Sequence, residues 1–296
     1  MKAAPLKKNI SICICTYKRP NLIKDLLGSL YKQATENLFT FEIVVIDNDK
    51  LRTAERVVYN FKKEVNIDLI YDVEERQSIP LARNKAIEKA KGELIAFIDD
   101  DEIPRENWLL DLFKAMEIYK ADAVLGPVFP LYQIKPPVWV IKGKFFQRPI
   151  YRTGTKIVWT MGRTGNLLIK KSLFELTGIY FDPKFSQGGE DQDLARRMLE
   201  RGYRFVWCNE ARAYEIIPPE RWKLKYMFIK ALIRGKMSAL FPGSKLFAAT
   251  KSIIAVIVYC LSLPLLLFIG YHFFVKYLVK IGDHLGRTMA ICKLIK

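Results

Sequence analysis

Histidine is scarce in this chain, with two in 296 residues, and cysteine numbers five. Two histidines exclude a His-rich metal centre. Of Cys13, Cys15, Cys208, Cys260 and Cys292 only the first two are close, and C-x-C alone is no zinc pattern. Reduced thiols in a reducing compartment fit such a set better than a disulfide framework. No G-x-G-x-x-G follows the first apolar run, so the phosphate turn of a dinucleotide-binding domain is missing. No G-x-x-x-x-G-K-[ST] occurs, which argues against a P-loop NTPase. The basic start, residues 1–9, leads into an apolar run of only six residues, 10–15, too short for the core of a secretory signal. The chain is therefore expected to begin and fold in the cytosol. Neither repeats nor low-complexity tracts appear.

What is present is an apolar, basic chain: 50% hydrophobic, with a net charge of +17. That is too apolar for disorder, and the length suits one large domain or two small ones. The charge is uneven. Residues 216–296 carry 13 Lys+Arg against 2 Asp+Glu, while residues 1–215 carry 35 against 29. A tail that is basic and apolar together suits an anionic membrane surface better than nucleic acid, and no nucleic-acid-binding signature is seen. Residues 252–275 contain no Asp, Glu, Lys or Arg. As a helix they would reach about 36 Å, enough for a bilayer core of about 30 Å. Pro264 sits mid-run, and both flanks are basic. A hairpin keeps both flanks on the cytosolic side and a single crossing does not, so a shallow or re-entrant hairpin is expected. A buried core helix is the competing reading. Residues 221–236 read as an interfacial helix, with Trp222, Tyr226, Ile229 and Ile233 on one face. Its competitor is a helix packed into the domain.

The front half alternates apolar strands and helical patterns. Strands are expected over 10–15, 41–46, 67–71, 94–98 and 123–128, and helices over 21–33, 55–63, 78–91 and from Pro104 to about 119. Near-continuous apolar strands alternating with helices indicate an α/β domain around a parallel-rich sheet, covered on both faces. The Pro-rich segment 130–160 reads as an irregular insertion of the kind that covers an active site. Residues 1–215 are thus expected to form one catalytic domain and 216–296 a membrane-associated region.

Function concentrates where strands end. Asp47 follows the second strand, Asp72, Glu74 and Glu75 the third, and Asp99 to Glu102 the fourth. In open parallel sheets ligands bind outside those carboxyl ends. If the backbone is extended, Asp99 and Asp101 project to one side. Paired carboxylates there suit Mg²⁺ or Mn²⁺, which completes its shell with substrate phosphate oxygens. Helix capping by the same acids is the alternative. A second group, Gly188-Gly189-Glu190-Asp191, opens a helix that would bury Leu194 and Met198. An ionised carboxylate there can accept a proton from a hydroxyl.

Five segments, SICICTYKRP, EIVVIDND, IPLARNKAIEKAKGELIAFIDDDEIP, TGNLLIKKSLFELTG and GGEDQDLARRMLERGY, occur in order over residues 9–210. Together they resemble the inverting family-2 glycosyltransferases of GT-A fold, most of all bacterial enzymes of surface or exported polysaccharide. The resemblance implies a nucleotide-sugar donor, a glycan or lipid-linked acceptor, and Mg²⁺ or Mn²⁺ as cofactor. It implies that Thr16, Tyr17, Arg19, Asp47, Arg83, Asp99 and Asp100 bind the nucleotide. Asp101, with Asp99, would hold the metal. Asn166 and Glu190 would border the sugar or acceptor, and Asp191 would be the catalytic base. The enzyme would work at the cytoplasmic face of the cell membrane, held by its C-terminal region. One departure is Glu215, in the stretch where many relatives carry a histidine near the metal; Arg221 or Arg234 could pair with it instead. A nucleotidyltransferase or a non-catalytic, membrane-bound sugar-binding protein remains the alternative.

Overall fold

The computed structural model describes residues 8–294. Its chain divides into two compact units. Among the described residues the first comprises 8–129, 148–186 and 190–215, and the second 130–147, 187–189 and 216–294. The last segment of the first unit ends at residue 215. The second unit also takes the stretch 130–147 from the expected insertion.

The first unit is built on a seven-stranded sheet. Its strands are β1 (Lys8–Thr16), β2 (Phe39–Asp47), β3 (Leu69–Val73), β4 (Leu94–Ile98), β6 (Ala123–Leu125), β8 (Asn166–Lys170) and β9 (Phe205–Trp207). The numbering leaves room for β5 (Glu102–Pro104), β7 (Val128–Tyr132) and β10 (Ala213–Ile217), which form a small second sheet in the order β5-β10-β7. The large sheet runs β3-β2-β1-β4-β8-β6-β9. β3, β2, β1 and β4 are parallel, and β8 is antiparallel to both β4 and β6.

Side-chain alternation explains the layering. Ile10, Ile12 and Ile14 of β1, Ile43 and Val45 of β2, and Ala96 and Ile98 of β4 point into one core. There they meet α1 (Pro20–Tyr31), α2 (Glu55–Glu64) and α4 (Trp108–Tyr119). Cys13, Val44, Ile46, Ile95 and Phe97 point the other way. They meet α3 (Ile79–Lys89), α6 (Ser172–Thr177) and α7 (Glu190–Leu199), which buries Leu194 and Met198 as their spacing predicts. Both faces being covered, the strands read as apolar throughout.

Two expected elements differ. Pro104 ends β5 instead of opening a helix, because residues 102–104 pair with Glu215, Tyr214 and Ala213 of β10. Helix α4 starts four residues later, at Trp108. The strand expected over 123–128 breaks at Gly126-Pro127 into β6 and β7, since proline has no N–H for the ladder.

The second unit contains α5 (Val138–Gly143), α8 (Leu224–Ser238), α9 (Lys245–Ile269) and α10 (Tyr271–Leu294). Val140, Ile217 and Trp222 form its small core, with Tyr132, Trp139, Phe146 and Met227 against them. Trp222 is therefore buried, in a 3-10 turn ahead of α8, and not on the exposed face expected of it. Arg234 pairs with Asp283 at 2.8 Å. Helices α8 and α10 approach closely through glycine. A Cβ on Gly235 would lie 1.9 Å from the Asp283 carbonyl oxygen, and one on Gly286 2.0 Å from that of Leu232. Helix α9 continues through Pro264, and the chain turns at Gly270 instead. Tyr259 packs on Tyr277, and Ser252 bonds His284 at 3.1 Å, so α9 and α10 form an antiparallel hairpin. Helix α9 is long and apolar enough to cross a membrane, and its apolar stretch is almost wholly exposed. That fits membrane association.

Candidate active site

Parallel pairing brings the ends of β1, β2 and β4 to one edge, with Thr16 level with Asp47. Thr16 Oγ1 donates to Asp100 Oδ2 at 2.8 Å, and Arg19 reaches Asp100 Oδ1 at 2.9 Å and Asp101 Oδ2 at 3.2 Å. The loop after β1 thus grips the acidic segment after β4. That segment is not extended: Glu102 N bonds the Asp99 carbonyl at 3.1 Å, closing a turn. Asp99 and Asp101 consequently face different arginines, Arg83 and Arg19. Tyr17 lies exposed at the same rim, with Lys18 Nζ 5.1 Å from its ring centre.

Arg83, on α3, is the hub. Its Nη2 donates to Asp99 Oδ1 at 3.1 Å and its Nη1 to Glu190 Oε1 at 2.5 Å. The acid turn and the start of α7 therefore share one cleft. Gly188 and Gly189 lead into α7 with φ of 125° and 93°, a region glycine enters without strain. Space is open around Gly188, so its contribution is this turn and not a close approach. Asp191 follows in the first helical turn. Burial pushes its carboxyl above the ordinary aspartate range, against the pull of Arg83, the Gln192 N–H and Arg163. Glu190 is raised by burial too, and its Oε2 has no partner among the described residues.

Beneath the turn lies Glu102, 1% exposed, its Oε1 without a hydrogen bond among the described residues. Burial raises its carboxyl well above the usual range, and Asp99 adds to this. Gly165 lets these acids pack: a Cβ there would sit 2.6 Å from Glu102 Oε1 and 2.8 Å from Asp99 Oδ2. Crowded hard oxygens with one buried orphan suit a divalent cation. No three His, Cys, Asp or Glu side chains converge on one point among the described residues. Mg²⁺ and Mn²⁺ take one or two protein carboxylates, with substrate oxygens supplying the rest. Glu215 lies directly across from Glu102 in the β5–β10 pair and holds Arg148 at 2.5 Å.

Two sequence-predicted residues have their side chains engaged by the fold. Asp47 is fully buried: Oδ2 accepts from Ala54 N and the Tyr71 hydroxyl, and Oδ1 from Asp49 N. The neighbouring Asp49 keeps a buried Oδ2 unbonded among the described residues. Asn166 donates to the Pro127 and Ala211 carbonyls and accepts from Trp108 Nε1, so both its N–H groups are engaged by the fold. It clamps β8 to its neighbours and forms cavity wall. Arg163 lines the narrow cleft that contains Asp191 and, with Arg148 and Trp207, an adjoining cavity; none of the three carries a sequence signal.

The sequence model described as "Glycosyl transferase family 2" matches residues 11–176. Among curated proteins, the succinoglycan biosynthesis protein ExoM of Rhizobium meliloti (strain 1021) is 31% identical over 241 residues, 78% of this chain and 75% of that protein. Among solved structures, S. aureus TarS 1-349 in complex with UDP-GlcNAc superposes with a TM-score of 0.55 at 19% identity, over 76% of this chain and 66% of that one. GalNAc-T7 with UDP, GalNAc and Mn2+ gives 0.58 at 15% identity, over 84% of this chain and 51% of that one. These two are likenesses of fold.

Proposed function

The chain belongs to glycosyl transferase family 2, and from that premise we propose that it moves a sugar from a nucleoside-diphosphate sugar, a UDP-sugar foremost, to a glycan or lipid-linked acceptor in cell-surface polysaccharide synthesis. The observation that carries this reading is the Arg83 bridge, which joins the acid turn after β4 to the carboxylates opening α7 in one cleft. Support for the donor class comes from the similar TarS and GalNAc-T7 structures, which are complexes with UDP-GlcNAc and with UDP, GalNAc and Mn2+. ExoM, by its name, acts in succinoglycan biosynthesis.

In this mechanism Asp191 accepts the proton of the acceptor hydroxyl as that oxygen attacks the anomeric carbon. The bond from that carbon to the diphosphate oxygen breaks on the opposite face, so the anomeric configuration inverts. A base must be ionised to act, and Arg83 and Arg163 oppose the effect of burial on Asp191. Thr16 and Arg19 set Asp100 and Asp101 at the rim where the nucleotide would lie. Asp101 and Asp99 would hold Mg²⁺ or Mn²⁺, which when bound supplies positive charge toward a departing diphosphate. Glu190, fixed by Arg83, borders the sugar. Asp47, held by the Tyr71 hydroxyl, would lie on the nucleotide side of the site. The exposed apolar face of α9 would rest in the membrane, with the basic ends of the hairpin on its cytoplasmic side.

Incubation of the full chain with radiolabelled UDP-sugars and Mn²⁺ tests the reading. Slow donor hydrolysis is expected from the wild type, with UDP released. Asp191→Asn should lose sugar transfer and hydrolysis while binding UDP as before. Transfer at the wild-type rate by Asp191→Asn would remove the base assignment, and absence of UDP binding would remove the transferase reading itself.

A further inference from the structure

A cavity of about 140 Å³ opens in the first unit, lined by Arg148, Tyr151, Thr160, Arg163, Asn166 and Trp207 among others. Its position follows from topology. Gly126 follows β6, Asn166 begins β8 and Trp207 ends β9, so the cavity belongs to the half of the sheet beyond β4. The rim gripped by Thr16 and Arg19 belongs to the other half. Arg163 also lines the narrow cleft that contains Asp191, and Gln192 Nε2 bonds the Thr160 carbonyl at 3.2 Å. The cavity is thus next door to the proposed base.

Its chemistry is one-sided. No carboxylate lines it. Arg163 lines it, is solvent-exposed and makes no hydrogen bond or ion pair among the described residues, although Asp191 and Glu215 act on its charge from nearby. Trp207 is 5% exposed, and its indole N–H has no acceptor among the described residues. Arg148 gives one N–H to Glu215 and keeps others. Tyr151 and Thr160 add hydroxyls, while the one amide, Asn166, is already engaged by the fold. A buried donor such as the Trp207 N–H costs stability until an acceptor meets it. A sugar hydroxyl brings a proton of its own, whereas a carboxylate only accepts, and an arginine fork matches its two oxygens. The volume is well below the roughly 300–1,000 Å³ of a whole-ligand site, so it holds one part of a substrate.

We propose that this cavity receives the carboxylate of an acidic sugar residue at the end of the acceptor, the residue whose hydroxyl Asp191 deprotonates or the one beside it. The acceptor is then an anionic glycan. This rests on the transferase reading and narrows its acceptor class.

The test uses the full chain with UDP and Mn²⁺ present and two probes that differ only at C6: methyl β-D-glucuronide and methyl β-D-glucoside. Binding is followed by ligand-observed NMR and calorimetry. The glucuronide is expected to bind about tenfold more tightly, the scale of a charge-assisted pair. Arg163→Gln should erase the preference. Trp207→Phe, which keeps a ring and removes the N–H, should reduce it about threefold. UDP affinity should stay unchanged in both variants, with thermal melts confirming their fold. Equal affinity for the two glycosides, or no binding of either, overturns the proposal. So does a loss of UDP affinity in Arg163→Gln as large as the loss of glucuronide affinity, because the cavity would then serve the donor diphosphate. Wild-type donor hydrolysis separates the two failures. If it proceeds without discrimination at C6, only the acidic-acceptor proposal falls; if UDP is neither released nor bound, both fall.

Discussion

Arg83 Nη1 lies 2.5 Å from Glu190 Oε1, a buried ion pair between residues 107 positions apart in the chain. The same guanidinium holds Asp99. One side chain therefore sets the distance between the acid turn after β4 and the start of α7.

Removing that side chain should cost more than it would at a surface. Arg83→Ala leaves Glu190 buried without its cation, and breaking such a pair costs about 3–5 kcal/mol. Adding Glu190→Gln should recover part of the loss, giving a coupling that a double-mutant cycle in denaturant titration will read. Additive single effects would mean that the pair does not act as a unit.

The raised carboxyl of Asp191 predicts both a rate profile and a stability profile. A base protonated at higher pH than usual loses activity earlier on acidification. The acid limb of kcat/KM should therefore lie above the pKa of about 3.9 of a free aspartate. For folding the sign runs the other way. With the folded value above the unfolded one, the stabilising contribution is complete at acid pH, below the unfolded value. It is lost as pH rises through the folded one. Asp191→Asn should accordingly melt higher than wild type at pH 7 and close to it at acid pH. A lower melting temperature at pH 7 would contradict the assignment.

Two glycine substitutions should have opposite signs. Gly286→Ala places a methyl against the Leu232 carbonyl, and overpacking of this kind costs about 1–3 kcal/mol. Gly28, inside α1, has open space around its missing Cβ. Gly28→Ala should stabilise by about 0.4–1 kcal/mol. Thermal melts of the two variants side by side check the close contact of α8 with α10.

Membrane attachment should depend on the exposed face of α9. Leu261 is 78% and Leu265 64% exposed. A lysine near the middle of a membrane helix costs about 2.5–3.5 kcal/mol. The pair Leu261→Lys and Leu265→Lys should shift the protein from vesicles containing anionic lipid to the supernatant in flotation. Unchanged flotation would mean that α9 is not the anchor.

The sheet was legible where local pattern decides structure. The strands at 10–15, 41–46 and 94–98 are apolar on both faces because both faces are covered, and their ends carry the acids. Failures came where the deciding partner is remote. Residues 102–104 are a strand only because of residues 213–215. Asp99 and Asp101 part because the backbone turns between them. Pro264 lies at the middle of the apolar run without turning the chain. A helix in an apolar setting can lose one N–H and continue, and Gly270 ends it instead. Trp222 reads as amphipathic by spacing but is claimed by Val140 and Ile217. Arg148, Arg163 and Trp207 follow no period, so nothing short of the fold could assemble them.

Strand β8 runs against β4, with Asn166 opposite Ile98. A loop entering the sheet at Arg163 therefore arrives where the loops after β1 and β4 depart. On the proposed reading, the acceptor side of the cleft is then set by a different stretch of chain from the donor side. Changes in the segment between β7 and β8 would alter the first while leaving untouched the rim gripped by Thr16 and Arg19.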